Sequence, residues 1–175
     1  MRQGEESPAC ELITYDIAAT VLPGLTPVGQ QSAQRPPGTK AYLCSYSNKS
    51  MEGGMVALSV ALTSPASDGD KARARSMPDC TPVQGIGDFA CLQWTGYFQG
   101  EAGGASANVV LHAVRGDEVL EMPYVVSGPM NGGSTPDGGA MAGAVAQAAV
   151  DAGWGNGEEL VVPAAPPVGP LSATK

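Results

Sequence analysis

Residues 107–126 read Ala107-Asn-Val-Val-Leu-His-Ala-Val-Arg-Gly-Asp-Glu-Val-Leu-Glu-Met-Pro-Tyr-Val-Val126, and this stretch decides the fold. Two valine-rich segments, 107–114 and 118–126, flank the glycine-containing turn Arg115-Gly116-Asp117. This pattern is typical of a β-hairpin. Pro123 interrupts the second segment and has no backbone N–H to donate. We therefore expect the second strand to lie at a sheet edge or to bend at Pro123.

Further strands are predicted outside the hairpin. The clearest is 55–63, where Val56, Leu58, Val60 and Leu62 alternate with small residues, so that one face meets a core. Weaker patterns predict strands near three other segments, at 26–31, 41–47 and 89–98.

Three segments have the apolar spacing and end signals of helices, 11–22, 68–76 and 137–152. Strands that follow one another through short links favour antiparallel pairing, and the helices must cover the sheet to bury their apolar sides. The sequence therefore predicts an α+β fold. We expect a single antiparallel β-sheet of five to seven strands, packed by two or three helices.

The ends of the chain differ in composition from its middle. Residues 1–9 are polar and predict a disordered linker, while 10–157 contain all the predicted helices and strands and form the predicted α+β domain. Residues 158–175 are rich in proline and predict an extended tail, which acts as a spacer or lies along the sheet.

Charge and hydropathy exclude two classes of function. The 175 residues include 17 Asp and Glu but only 9 Lys and Arg, a net charge of −8, and no basic cluster could neutralise consecutive phosphates. Nucleic-acid binding is therefore excluded, and no apolar run approaches the ~20 residues of a membrane-spanning helix. Alanine supplies much of the 43% hydrophobic content, so the core is thin and needs reinforcement.

Four cysteines, Cys10, Cys44, Cys80 and Cys91, supply that reinforcement. Four cysteines allow three pairings, and sequence alone does not choose among them. Closure between nearest neighbours favours Cys10–Cys44 and Cys80–Cys91.

A metal site is the competing interpretation of the four cysteines, but no Cys-x-x-Cys occurs and His112 is the only histidine. Disulfides place the protein in an oxidising compartment, where it is secreted, periplasmic or on the outer face of a membrane. Because residues 1–9 have no apolar core, we expect that a signal peptide has been removed.

Three short motifs carry a resemblance to a known family. They are Pro8-Ala9-Cys10-Glu11-Leu12-Ile13-Thr14, Cys44-Ser45-Tyr46 and Val83-Gln84-Gly85-Ile86-Gly87-Asp88-Phe89-Ala90. In these motifs the chain resembles small actinobacterial cell-envelope lipoproteins that form a domain of unknown function with paired cysteines. The resemblance implies export, membrane anchoring through a lipidated cysteine upstream of residue 1, and a binding role. It implies no catalytic residues.

The sequence has few of the residues and motifs that catalysis needs. A catalytic triad would need His112 as its base, yet His112 lies in a valine-rich strand, where we expect it to face solvent or to be bonded locally. No Gly-x-Ser-x-Gly motif occurs, and Gly85-x-Gly87 is too short for a dinucleotide-binding loop. We therefore predict no catalytic residues, no cofactor and no metal.

The aromatic residues Trp94, Tyr97 and Phe98, with Phe89 nearby, form the densest aromatic group of the chain. They belong to the core or form a ligand or partner surface, since Trp and Tyr offer large rigid contact areas. The resulting prediction is a non-enzymatic binding domain. Its ligand is an envelope or membrane protein, or a lipid-like apolar small molecule. The alternatives are an accessory subunit of a membrane protein complex and a small secreted hydrolase.

Overall fold

The computed structural model describes residues 8–22, 30–34, 41–49, 55–99, 104–129, 138–166 and 169–170. Its helices are α1 (Pro8–Leu12), α2 (Tyr15–Val21), α3 (Asp68–Arg75) and α4 (Gly138–Ala149), and a π-helical turn (Val150–Trp154) follows α4. Its strands are β1 (Gln30–Gln34), β2 (Ala41–Lys49), β3 (Met55–Thr63), β4 (Cys80–Pro82), β5 (Phe89–Gln99), β6 (Gly104–Arg115), β7 (Glu118–Pro129) and β8 (Gly169–Pro170).

These strands form one sheet in the order β1-β2-β3-β7-β6-β5-β4, in which all neighbours are antiparallel. The short strand β8 adds a parallel pairing to β5. The predicted hairpin is β6–β7, with Gly116 at φ 55° in its turn. The α+β fold with a single antiparallel sheet is thus confirmed.

The alternation of side chains gives the sheet two different faces. On the core face, α1 contacts β2 and β3, α4 contacts β6 and β7, and α2 packs against α4. Leu58, Leu111 and Leu120 are fully buried there, together with Ala142 and Ala146 of α4. On the opposite face, which we call the α3 face, α3 contacts β5, β6 and β7.

Two disulfides cross-link these elements. Cys10–Cys44 joins α1 to β2 with a Cα–Cα distance of 5.2 Å, and Cys80–Cys91 joins β4 to β5 with a Cα–Cα distance of 5.4 Å. The predicted pairing is therefore confirmed.

The predicted helix over 11–22 is two short helices. It breaks at Ile13 and Thr14, and the Thr14 side chain caps α2 by accepting a hydrogen bond from the backbone N–H of Ile17. The Tyr46 hydroxyl donates to the Ile13 carbonyl at 2.7 Å, which fixes the end of α1 to β2. The single-helix prediction fails here because this tertiary contact and the cap satisfy the backbone groups that a continuous helix would pair.

The expected edge position of Pro123 is wrong, since β7 lies between β3 and β6. The β3–β7 register pairs Leu58 with Tyr124 and resumes at Ala61–Glu121. Pro123 lies in the interval between these pairs. Its missing N–H is therefore accommodated by an interruption of the ladder rather than by an edge.

Some expectations fall partly outside the described residues. These are the linker over 1–7, the start of the first strand over 26–29, the start of the last helix at 137, and 167–168 and 171–175 of the tail. Pro8 and Ala9 of the predicted linker belong to α1, where Ala9 is fully buried. Residues 158–166 lie close to the sheet: Val161 exchanges backbone hydrogen bonds with Gln84, which follows β4.

Candidate ligand-binding groove

A groove of about 250 Å³ opens at the β4 end of the sheet, on the core face. Its walls come from three parts of the chain: the segment leading into β4, the middle of β5, and the chain that follows the π-helical turn. The lining residues are Asp79, Thr81, Leu92, Trp94, Pro163, Ala164 and Pro166.

The floor of the groove is apolar. Leu92 is fully buried and Trp94 is partly buried against the core. Both point to the same face because they are two residues apart in β5. A β-bulge follows directly, where the register shifts between Trp94 and Gly96. The core helices do not cover Trp94 completely, and one of its sides borders the groove.

The far wall is the segment 160–166, which backbone hydrogen bonds hold beside β4. Gln84 and Val161 exchange two of them, with N···O distances of 3.2 and 3.0 Å. Asn156 adds a side-chain bond from Nδ2 to the Gly87 carbonyl at 2.9 Å. These contacts fix the course of the chain toward Pro163 and Pro166. The predicted tail therefore lies along the sheet in this part.

Gly85 makes this close approach possible. Its φ is +103°, and a Cβ at this position would lie 2.9 Å from the Glu159 carbonyl oxygen and from Leu160 Cα. Any other residue would collide with the backbone of the wall segment and would also strain its own backbone. The sequence pattern interpreted as a turn, Gly85-x-Gly87, thus serves to dock the wall.

The polar part of the groove is at its rim. Thr81 pairs with Leu92 across β4–β5 and contributes a hydroxyl. Asp79 is exposed and has a positive φ of 53°, a backbone conformation that Asp and Asn adopt more readily than other non-glycine residues. Asp79 immediately precedes β4, and it lines the groove together with Trp94.

The four aromatic residues predicted for binding do not form one patch. Trp94 lines the groove, whereas Phe89 lies on the α3 face, where the Arg75 guanidinium is 5.5 Å from its ring centre. Tyr97 and Phe98 belong to β5 and pair with Ala107 and Ser106, and their side chains lie outside the described part of the structure.

The remaining groove residues were not found from the sequence. Proline and alanine in the wall carry no chemical signature, and Asp79 looks like an ordinary loop acid. The usable signal was the proline-rich composition of 158–175, which left open a course along the sheet.

His112 lies away from the groove, on the α3 face. Its side chain is buried and bonded locally: Nε2 lies 3.0 Å from Gln93 Oε1. Of the two alternatives predicted for His112, local bonding is confirmed and solvent exposure is not, because the neighbouring strands and α3 cover this part of the sheet. Burial lowers the pKa of His112, and the facing Glu121 carboxylate partly opposes this shift.

In the part of the chain that the structure describes, no helix is both long and apolar enough to cross a membrane. The described ranges also bring together no group of three or more His, Cys, Asp or Glu that could hold a metal ion.

Comparison of the chain with protein-family models, with curated proteins and with solved structures finds no match.

Proposed function

We propose that this chain is an extracytoplasmic binding domain that takes a small apolar ligand in the groove beside Trp94. The observation that carries the proposal is the groove itself: an open cleft with a floor of Leu92 and Trp94 and a wall of Pro163, Ala164 and Pro166. Concave sites lined by apolar and aromatic side chains with few polar groups are typical of small-molecule binding.

The volume of the groove favours one of the two ligand classes predicted from the sequence. At about 250 Å³ it lies just below the roughly 300–1,000 Å³ of pockets that bury drug-sized molecules. A small molecule, or one short part of a longer molecule, fits this space. A partner protein would need a contact surface of roughly 800 Å² on each side, far beyond the mouth of such a groove.

The disulfides support the extracytoplasmic part of the proposal. Two disulfides in one small domain are typical of proteins that fold in oxidising surroundings outside the cytoplasm. Attachment to the cell envelope through an N-terminal lipid anchor completes the proposal, and it rests on the resemblance of the motifs around Cys10 and Cys44 to envelope lipoproteins.

A two-dimensional NMR titration with a panel of small uncharged apolar molecules tests the binding role. We expect saturable shifts of the backbone amides of Leu92, Trp94 and Ala164. Trp94→Leu should weaken binding several-fold because it removes the aromatic part of the floor. Phe89→Leu is the matched control, since it removes an aromatic ring from the same strand on the opposite face. Shifts confined to other regions, or an equal loss in both variants, would contradict the proposal.

A further inference from the structure

The two outermost strands in the sheet order, β1 and β4, form edges of different kinds. Strand β4 has only three residues, one of them Pro82, and the chain that follows the π-helical turn runs beside it through the hydrogen bonds between Gln84 and Val161. Strand β1 has five residues without proline or charge, and its neighbour in the described sheet is β2. Natural sheets protect an edge with proline, charge, a short strand or a covering segment. In the part of the chain that the structure describes, β4 has three of these protections and β1 has none.

The hairpin β6–β7 determines which neighbour each backbone group of the sheet bonds to. Arg115 and Glu118 flank its two-residue turn, so they form a hydrogen-bonded pair. Such pairs alternate with non-hydrogen-bonded pairs in antiparallel strands, so the even-numbered residues of β7 bond to β6 and the odd-numbered residues bond to β3. Pro123 is odd-numbered, and the β3–β7 pairing is interrupted beside it, as its missing N–H requires.

The same alternation extends to β1, because the residue registers of β3–β7, β2–β3 and β1–β2 do not shift along these strands. The odd-numbered residues of β3 bond to β7, so its even-numbered residues bond to the even-numbered residues of β2. The odd-numbered residues of β2 then bond to β1, where their partners are Gln30, Ser32 and Gln34. Gln31 and Ala33 therefore direct their backbone N–H and C=O groups away from β2, along the outer edge of the sheet.

The chain around β1 differs in charge from the rest of the protein. The 35 residues over 17–51, which include β1 and β2, contain none of the 17 Asp and Glu and three of the nine Lys and Arg, namely Arg35, Lys40 and Lys49. The other six basic residues and all 17 acids give the rest of the chain a net charge of −11. Glu11 of α1, which contacts β2, offsets only one of the three positive charges. Charge complementarity at the β1 edge therefore favours an acidic partner.

We propose that the outer edge of β1 accepts an extended acidic segment of a partner protein, which adds a strand to the sheet by pairing its backbone with Gln31 and Ala33. In this mode of recognition backbone hydrogen bonds supply the affinity, so no concave pocket is needed. A five-residue strand is about 17 Å long and matches a segment of about five residues. A second copy of the chain is the poorer partner, because pairing β1 with β1 would bring two positive segments together. The proposal is independent of the groove, which lies at the β4 end of the sheet.

The test uses a capped seven-residue peptide of alternating valine and glutamate, and a counterpart with lysine in place of glutamate. NMR titration of the full chain at low ionic strength gives the affinities, and amide hydrogen exchange identifies the groups that pair. We expect the acidic peptide to bind at least about five-fold more tightly than the basic one, and its affinity to fall as salt is added. At saturation, exchange of the Gln31 and Ala33 amides should slow by about ten-fold or more, while Ser32, which already bonds to β2, should change little.

Two variants at one position isolate the backbone contribution. Gln31→Pro removes an N–H that the sheet itself does not use, and proline is tolerated on an edge strand when that side faces outward. We expect it to fold and to bind the acidic peptide about ten-fold more weakly, since one hydrogen bond is lost and the proline ring obstructs the added strand. Gln31→Ala is the matched control: it also lacks the glutamine side chain but keeps the N–H, and its affinity should stay within about two-fold of the unchanged protein.

Each possible result supports or overturns the proposal. Absence of shifts and of slowed exchange at Gln31 and Ala33 with the acidic peptide would overturn docking at β1, whether or not Gln31→Pro folds. Equal affinity of the two peptides would overturn the choice of an acidic partner, and equal losses in the two variants would overturn backbone pairing. Slowing of the same two amides as the concentration of the protein alone is raised, with a dimer in sedimentation equilibrium, would assign the edge to a second copy instead.

Discussion

Beside β2, Cys10–Cys44 joins a five-residue helix to a strand, and Ala9, Ile13 and Cys44 are fully buried there. At the β4 end, Cys80–Cys91 joins a three-residue strand to β5, and beside it the packing opens into a groove. Both ends use a disulfide to hold an element too short to be stable alone. The difference lies in what is held: the first bridge closes the core, and the second positions a rim of the candidate site.

The largest expected effect is the loss of the bridge at the closed end. The Cys10→Ala, Cys44→Ala double variant frees a loop with a sequence separation of 34 and should lower the free energy of unfolding by about 4 kcal/mol on the chain-entropy model. Helices α1 and α2 cover the core, so we expect the loss to be global. Urea denaturation followed by circular dichroism measures it. A decrease below about 1 kcal/mol would show that the Tyr46 and core contacts alone hold α1.

The bridge at the open end has a smaller expected effect on stability and a larger one on the groove. Its sequence separation is 11, so the Cys80→Ala, Cys91→Ala variant should lose about 3 kcal/mol. Because β4 then holds to β5 by few backbone bonds, Asp79 and Thr81 lose their fixed position. We expect the NMR signals of β4 to broaden and the binding of the small apolar molecules in the groove to weaken. The variant without Cys10–Cys44 is the control, since under native conditions its groove should still bind.

Much of this architecture follows from local sequence. Strand β3 is predicted by apolar residues at every second position, and β6 and β7 are predicted by two valine-rich segments on either side of a glycine-containing turn. Four cysteines allow three pairings, and closure between nearest neighbours favours the pairing that the structure has. The central position of β7 did not follow. It depends on the interruption of the ladder beside Pro123, which is a property of the register with β3.

The groove was predicted only in part, for a similar reason. Trp94 stood out because aromatic residues are rare in this chain, but its wall comes from a segment far away in sequence. The bond between Asn156 and Gly87, for example, spans 69 residues. Periodicity describes one element at a time, so it does not show which distant segment closes a cleft.

The close approach of the wall segment to the sheet depends on Gly85, and a second glycine, Gly153, provides a control for its substitution. Both Gly85 and Gly153 have positive φ, but a Cβ on Gly153 meets nothing within 4 Å. Gly153→Ala should therefore cost only backbone strain, about 1 kcal/mol. Gly85→Ala should cost about 1 kcal/mol more and displace the wall, because its Cβ collides with Glu159 and Leu160. Urea denaturation gives the energies. Equal losses of unfolding free energy in the two variants, with an unchanged Trp94 indole signal, would contradict the displacement of the wall segment by the Cβ at position 85.

The smallest expected effect concerns pH and His112, which is buried on the α3 face between the two ends. The Gln93 amide donates to the Pro78 carbonyl at 3.0 Å, so its oxygen is left to accept from His112 Nε2, which assigns the neutral ring a proton on Nε2. Burial lowers the pKa of folded His112 below its usual 6.5, and the facing Glu121 opposes this shift without reversing it. The unfolded chain therefore binds the proton more tightly.

Stability should consequently be complete above pH 6.5 and fall as the pH drops through the lowered pKa of the folded protein. In His112→Gln, the new side-chain amide can still donate to Gln93 Oε1, but it does not bind a proton between pH 7.5 and 5. Urea denaturation of both proteins between pH 7.5 and 5 isolates the contribution of His112, since the other titrating groups are shared. A decrease with falling pH that is equally large in His112→Gln would assign it to the carboxylates instead.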